Sequence, residues 1–369
     1  MILLSALVQM FKQQLVDRYQ DELLPSHYQA LTAMEACRTQ VSPLMKACCD
    51  DCRHQLYIPH SCGHRLCPHC QHHESQQWLE RQLEKLVPAD YFLLTFTLPA
   101  QFRPLAWSHQ RAVYNALMQC GWETLNTFSH NDKQLQGTPG AIAVLHTHAR
   151  DLSYHPHVHI VIPAIAFNAK HRLLRRKKKR GKSAFLFHHK ALAKVFRAKM
   201  LAALTQAEIA LPKKYPGKWV VDCKAVGSGD KALVYLGRYL YRGVIQEKDI
   251  VALKDGLVTY RFKNSDTQAF EYRTLPAVEF LWRLLKHVLP RRFRRARNYG
   301  FLHPNSKQLI LLVQLIFKVN IHQSPGLLRK RAAIKCPRCG GTMSIVKTQI
   351  PPTNSRPPSG INTMQAGIA

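Results

Sequence analysis

Between Cys37 and Cys70 the chain places seven cysteines within 34 residues, with His54, His60, His64 and His69 among them. Their order is Cys49-x2-Cys52, then Cys62, then Cys67-x2-Cys70, so two CxxC pairs stand 14 residues apart. A CxxC turn points two thiolates at one centre, and two such turns close a four-coordinate zinc site with no open position. The spacing therefore predicts a structural zinc held by Cys49, Cys52, Cys67 and Cys70. Cys37, Cys48, Cys62, His64 and His69 remain as spare donors, enough for a second ion, with Cys62 and Cys37 first in line. Cysteines in this pattern belong to a reducing compartment rather than to a disulfide framework. A further knuckle, Cys336-Pro337-Arg338-Cys339-Gly340-Gly341, has the form of half a zinc ribbon. No second pair follows it, and Cys120 or Cys223 are distant candidates to complete it.

Charge narrows the partners. Lys and Arg total 53 against 22 Asp and Glu, a formal charge of +31, while 46% of residues are hydrophobic. A chain with that apolar content builds a core, and an excess that large repels itself until a polyanion is present. Nucleic acid is the expected partner. Apolar stretches such as Leu309 to Phe317 are too short to span a bilayer, so no membrane partner is expected. The start, Met1 to Met10, lacks a basic leader and reads as an amphipathic helix rather than a signal peptide, which predicts a cytoplasmic protein.

The rest of the chain mixes helical and strand periodicities. Helices are expected over residues 1–36, 78–86, 108–129, 188–209, 231–242 and 276–297. Strands are expected at Tyr91 to Leu98, Ala141 to His148, His157 to Pro163 and Trp219 to Lys224, with a hairpin over 257–263 and 269–272. The basic tract Arg172 to Lys182 reads as an exposed loop, and the segment beyond Ile350 as disordered. Three domains are predicted: 1–88, helices and zinc-binding; 89–305, the central domain; and 306–369, a basic segment with the lone knuckle and tail.

Two motifs carry chemistry. Residues 155–159 read HPHVH. Positions two apart on a strand share a face, so His157 and His159 point together at one metal while Val158 enters the core. The preceding strand supplies His146 and His148, either of which can be a third ligand, and alternation does not separate them because both share a face. Three nitrogen ligands with open positions suit a divalent ion that holds a phosphate oxygen, magnesium or manganese. The second motif, Tyr235-Leu236-Gly237-Arg238-Tyr239-Leu240-Tyr241-Arg242, sets Tyr235 and Tyr239 on one helix face and turns Tyr241 away. Arg238 and Arg242 lie beside that face and can hold phosphates, as can Arg175, Arg176, Lys177 and Lys178 of the basic tract. A phenolate that attacks a phosphodiester keeps one DNA end as a phosphotyrosine and releases the other as a 3′ hydroxyl.

The ordered series CCDDCRHQLYIPHSCGHRLCPHC, VLHTHARDLSYHPHVHIVIP and YLGRYLYRG, with LLTFTLP at 93–99 and HVLPRRFRRARNYGFLHP at 287–304, resembles the two-tyrosine HUH rolling-circle transposases of bacterial insertion sequences. The likeness runs from about residue 10 to 305. It implies an α+β fold: an HUH core of antiparallel sheet flanked by helices, preceded by a helical, zinc-binding N-terminal domain. It further implies an endonuclease and strand transferase that nicks and rejoins single-stranded or hairpin DNA at element ends, and joins it to target DNA. His157 and His159 would bind the divalent metal, with Tyr235 and Tyr239 as nucleophiles. A third histidine at similar spacing in conjugative relaxases favours His146. The sequence departs from the family pattern at Cys48, in the long basic insert after Phe167, and at YRGVIQE after the tyrosines. Rival readings are a plasmid replication initiator or relaxase with the same chemistry, and a non-catalytic zinc-finger nucleic-acid-binding protein.

Overall fold

The computed structural model of the chain describes residues 2–39, 41–68, 70, 72–177, 185–241, 244–264, 267–319 and 334–351. In chain order the N-terminal part contains α1 (Leu4–Tyr19), α2 (Pro25–Ala36), the hairpin β1 (Leu44–Cys49) and β2 (Gln55–Pro59), and α3 (His72–Leu83). The central part runs β3 (Tyr91–Thr97), α4 (Arg103–Ser108), α5 (Gln110–Asn131), β4 (Thr138–His148), β5 (Tyr154–Pro163), β6 (Ile165–Asn168), β7 (Leu173–Arg176), α6 (His189–Gln206), β8 (Val221–Ala225) and α7 (Asp230–Tyr241). It is followed by β9 (Ile250–Lys254), β10 (Leu257–Lys263), β11 (Phe270–Pro276), α8 (Ala277–Leu285), β12 (Ala296–Gly300), α9 (Lys307–Ile316), β13 (Ile334–Lys335) and β14 (Thr342–Ile350). No helix among the described residues is long and apolar enough to cross a membrane.

A seven-stranded antiparallel sheet in the order β7-β6-β4-β5-β3-β8, with β12 added alongside β4, forms the central layer. The mixed α+β architecture expected from the sequence is thus present, with helices on both faces. Strand alternation divides the sheet cleanly. Leu94, Phe96, Ala143, Leu145, Val158 and Ile160 face α5 and α6 in the larger core. Ile142, Val144 and Val161 face α3, α7 and α9 in the opposite core. Gly121 of α5 lies so close to the sheet that a Cβ there would sit 3.1 Å from the Ile160 side chain, so the helix packs nearly backbone to strand.

Two features depart from the sequence reading. The tract starting at Arg172 is not wholly a loop, because Leu173–Arg176 pairs with Ile165–Asn168 as an edge hairpin. The helix expected over 276–297 stops at Leu285; the chain turns at Pro290 and Arg292 (φ 60°), and Ala296–Gly300 becomes a strand against β4. Pro290 cannot continue a helix, and the basic charge beyond it gives no helical face to bury.

The N-terminal helices do not stand apart from the central segment. Leu4, Leu7 and Leu15 of α1 share a core with Val258 and Tyr260 of β10 and with Phe280 and Leu284 of α8. The Glu247 carboxylate accepts the Leu4 backbone N–H at 2.7 Å. The second departure from the three expected segments is at the C-terminus, where β14 pairs with β1 in the sheet order β13-β14-β1-β2. Residues 334–350 therefore complete a sheet begun by residues 44–59. The tail beyond residue 351 lies outside the described residues.

Candidate active site

The histidines of β4 and β5 meet because antiparallel register places His146 directly opposite His157 and Val144 opposite His159. Their ring centroids lie 5.2 Å (His146–His157), 4.4 Å (His146–His159) and 4.9 Å (His157–His159) apart. One ring nitrogen from each can be brought within 4.8 Å of the other two, a spacing that suits a single metal ion. A register shift separates His146 from His148, so His148 leaves this group and meets the His287 ring edge-on, at 5.4 Å. The irregularity, invisible to strict alternation, is what distinguishes the two candidates for third ligand.

Tautomers are set from behind. The Nδ1 of His157 donates to the His155 carbonyl at 2.6 Å, which leaves Nε2 as the lone-pair nitrogen. The Nδ1 of His159 lies 2.9 Å from the Thr95 hydroxyl, on the strand position directly opposite. Thr95 was absent from the sequence reading, yet a signal existed: in LLTFTLP the polar residues alternate, and Thr95 shares the parity of the histidine face. His146 and His159 are 2% and 8% exposed. Burial, reinforced by neighbouring imidazoles, holds His146 well below the usual histidine range and lowers His157 to about 4 and His159 to about 3. The three rings are therefore neutral at physiological pH, the form that binds metal.

Helix α7 crosses the sheet above them. It starts after the turn Gly227-Ser228-Gly229, where Gly229 (φ 86°) packs so close to the Tyr91 ring that any Cβ would overlap it. Leu233, Leu236 and Leu240 bury one stripe of the helix, and Trp78 and Leu79 of α3 cover Gly237. Tyr235 then projects beside the histidines, its ring centroid 5.9 Å from that of His159 and edge-on to it. Tyr239 and Arg238 lie one turn onward on the same helix, with side chains outside the described set, and Arg242 is outside the described residues.

The histidines and Tyr235 open into one cavity of about 680 Å³, whose far wall is the β9–β11 sheet. Arg150, Arg261 and Lys263 line it together with Phe262 and Phe270, and the Arg261 guanidinium lies 4.9 Å from the centre of the Phe270 ring. Basic groups beside exposed rings suit a nucleic-acid strand, whose phosphates need cations and whose bases stack. Sequence reasoning missed this wall, because the hairpin looked like ordinary structure until the fold turned it toward the histidines.

The other expected contacts divide. Arg176 is exposed on the edge hairpin and Arg175 is partly covered. Lys177 is not available in the same way: its ammonium donates to the Asp132 carboxylate at 2.5 Å and to the Leu186 carbonyl at 2.9 Å. It braces the sheet edge rather than facing solvent. Lys178 lies outside the described residues.

The cysteines regroup. Cys37, Cys62, Cys67 and Cys70 form one cluster, and Cys49, Cys52, Cys336 and Cys339 another, each with all sulfurs within 4.8 Å. The set Cys49, Cys52, Cys67 and Cys70 is not what the fold brings together. The β1–β2 hairpin carries Cys49 and Cys52 toward the C-terminal strands, while the loop with Cys62 to Cys70 folds back on the end of α2 and Cys37. In the first cluster, sulfurs are separated by 3.5 Å (Cys37–Cys70, Cys62–Cys70) and 3.6 Å (Cys37–Cys67). A zinc ion at about 2.3 Å from each thiolate sets sulfur–sulfur edges of about 3.8 Å, so this geometry fits. Cys48 belongs to neither cluster; its thiol turns to the carbonyls of Cys49 and Arg53. His69 lies outside the described residues.

Two family models and two relatives match the chain. Residues 7–98 match the family described as "Transposase zinc-binding domain", and residues 140–308 match the one described as "Putative transposase". Over 303 residues the chain is 34% identical to "Putative transposase y4qJ" of Sinorhizobium fredii, covering 74% of this chain and 73% of that protein. Over 300 residues it is 28% identical to "Transposase for insertion sequence element IS801" of Pseudomonas savastanoi pv. phaseolicola, covering 74% and 70%. No solved structure matches.

Proposed function

From the premise that the chain belongs to the insertion-sequence transposases of the IS91 and IS801 type, we propose that it nicks and rejoins single-stranded DNA at element ends through a 5′-phosphotyrosine, in rolling-circle transposition. The observation that supports this most is the placement of three buried neutral imidazoles and the Tyr235 phenol in one basic cavity. His146, His157 and His159 are the residues to hold a magnesium or manganese ion. When bound, that ion supplies Lewis-acid polarisation of a non-bridging phosphate oxygen. Imidazole nitrogens with room left for phosphate and water are a workable donor set for it.

The protein's own groups do the rest. Arg150, Arg261 and Lys263 draw the DNA backbone into the cavity, and Phe270 offers a ring to a flanking base. The Tyr235 oxygen attacks phosphorus; the new bond joins phosphorus to the phenolic oxygen, and the bond to the 3′ oxygen breaks. The phenolic proton ends on that 3′ oxygen, so the exchange is neutral overall. A free phenol titrates near about 10, so attack requires removal of that proton as the bond forms. Tyr239, one helical turn away, takes the second strand while Tyr235 remains occupied, and the bond energy stored in each ester is passed on by the reverse attack. Cys37, Cys62, Cys67 and Cys70 hold a structural zinc in the N-terminal module. The DNA partners are single-stranded or hairpin element ends and the target, met in the bacterial cytoplasm.

The test is a denaturing gel with a labelled single strand carrying the element's terminus and manganese or magnesium. A metal-dependent protein–DNA adduct is expected, lost in the Tyr235→Phe/Tyr239→Phe double variant and in His157→Ala. Tight binding without an adduct on the authentic terminus would instead identify a non-catalytic nucleic-acid-binding protein.

A further inference from the structure

The two ends of the chain meet in a hydrogen-bonding pattern that repeats. At the tip of β1–β2, the Cys49 N–H donates to the His54 carbonyl at 2.8 Å, and the Arg53 N–H donates to the Cys49 carbonyl at 3.2 Å. At the tip of β13–β14, the Cys336 N–H donates to Gly341 at 2.8 Å, and the Gly340 N–H donates to Cys336 at 2.8 Å. In both, the fourth residue after the first cysteine has a left-handed backbone, Arg53 at φ 61° and Gly340 at φ 76°. Both tips are thus the same knuckle, each aiming a CxxC pair at the same point. Cys49 and Cys339 sulfurs lie 3.5 Å apart, and Cys52 and Cys336 sulfurs 3.6 Å. Those separations are close to the edges of a zinc–thiolate tetrahedron, about 3.8 Å, and far beyond a disulfide bond of about 2.0 Å.

Contacts around the four sulfurs hold the knuckles face to face. The Asp50 N–H donates to the Thr342 carbonyl at 3.0 Å, and the Ser344 hydroxyl donates to the Asp50 carboxylate at 3.1 Å. Gly341 lies against Asp51 so closely that any Cβ would overlap its carboxylate. This accounts for the pair of glycines after Cys339: the first allows the left-handed turn, the second the close approach. The apolar support is small, with Ala47, Cys49, Cys336 and Met343 as its fully buried members. A core of that size does not hold two hairpins together without a cross-link.

We propose that Cys49, Cys52, Cys336 and Cys339 bind a second structural zinc, forming a zinc ribbon built from both ends of the chain. Loading releases four thiol protons and leaves four thiolates around a divalent ion, a net charge of −2. The zinc-binding module is therefore discontinuous: residues 334–351 belong to it, although nearly the whole transposase core intervenes in sequence.

Cobalt substitution tests this in the full chain, because thiolate-to-cobalt charge-transfer absorbance counts cysteine sites and is silent about histidine sites. The wild type should show the intensity of two four-cysteine sites. Cys336→Ser/Cys339→Ser and Cys49→Ser/Cys52→Ser should each halve it, and combining the two should cause no further loss. Combining either with Cys62→Ser/Cys67→Ser should abolish it. Differential alkylation of the zinc-loaded wild type needs no variant, so it decides the matter even where a variant fails to fold. Cys336 and Cys339 should be protected, and Cys48 should react. Retention of full cobalt absorbance by Cys336→Ser/Cys339→Ser, or alkylation of Cys336 and Cys339 as fast as Cys48, would overturn the proposal.

Discussion

Thr95 offers a test of how the histidine cluster is prepared for metal. Its hydroxyl stands 2.9 Å from His159 Nδ1, and His159 is nearly buried. Without metal, the hydroxyl can either accept from or donate to this nitrogen, because imidazole can carry its proton on either side. With metal on Nε2, only one arrangement survives: Nδ1 carries the proton and Thr95 accepts it. Thr95→Val keeps the shape and removes the acceptor. In the metal-free protein His159 escapes by moving its proton to Nε2, so the loss there is only the net worth of one hydrogen bond, about 1 kcal/mol. In the metal-bound protein no escape exists, and the buried N–H is stranded at about 1–3 kcal/mol. Removal of such supporting partners typically lowers metal affinity about 10–100-fold, which corresponds to about 1.4–2.7 kcal/mol. Subtracting the loss in the metal-free protein leaves about 0–2 kcal/mol, which overlaps the lower end of that range, so a loss of about 10-fold is expected. Manganese titration followed by the electron paramagnetic signal of the free ion, on zinc-loaded protein, measures it directly. Thr95→Ser should restore affinity to within a few-fold of wild type. If Thr95→Val binds manganese like the wild type while His157→Ala does not, the hydroxyl has no part in orienting the ligand and the reasoning fails.

Two further expectations concern pH and salt. His27, His157 and His287 are lowered to about 4 and His159 to about 3 by burial, against 6.5 when unfolded. The unfolded chain therefore binds more protons than the folded one between these values. Stability should be level above pH 6.5 and fall as pH drops toward 4, by about 1.4 kcal/mol per pH unit for each such histidine. His27→Gln isolates one share away from the metal site: His27 accepts the Leu24 N–H on α2 between Trp107 and Trp282, and its removal should reduce the pH slope of denaturant unfolding by about one proton. A slope unchanged by that substitution would show that His27 is not buried in its neutral form. For DNA, log affinity on single strands should fall with log salt by about 0.7 per phosphate neutralised. Arg261→Gln or Lys263→Gln should each reduce that slope by about one contact, whereas a variant that weakens binding with an unaltered slope would place the residue off the phosphates.

What the sequence disclosed depended on how local the information was. The pairing of His157 with His159 needs only the two-residue repeat of a strand, and the helix with Tyr235 needs only its apolar stripe, so both were legible. The cysteines were not, because spacing favours the nearest pairs, and Cys49 with Cys52 finds its partners at Cys336 and Cys339 through strand pairing that no local pattern records. Gly340 and Gly341 marked the second knuckle as a tight turn without saying what it faced. The choice between His146 and His148 turned on a register shift, and the edge strand Leu173–Arg176 was hidden by its own charge.

Basic residues, finally, are not one population, and reading +31 as DNA-facing surface overcounts it. Lys177 is held by Asp132 and a carbonyl inside the sheet edge. Arg65 donates to the Phe293 carbonyl at 3.0 Å, tying the cysteine loop of the N-terminal module to the segment before β12. Arg295 does the most for the site: its guanidinium donates to the Leu145 carbonyl at 2.9 Å and to the Leu240 carbonyl at 3.1 Å. One of those carbonyls immediately precedes His146, and the other lies on α7 five residues after Tyr235. A single arginine therefore bridges the strand that carries His146 to the helix that carries Tyr235. Its planar fork can span both acceptors at once, which a lysine cannot. Charge that repels itself in the unfolded chain thus becomes, at a few positions, a tie between the histidine strand and the tyrosine helix. Of the remainder, Arg150, Arg176 and Lys263 are exposed, whereas Arg261 is shared with the Asp249 carboxylate at 3.0 Å in the cavity wall.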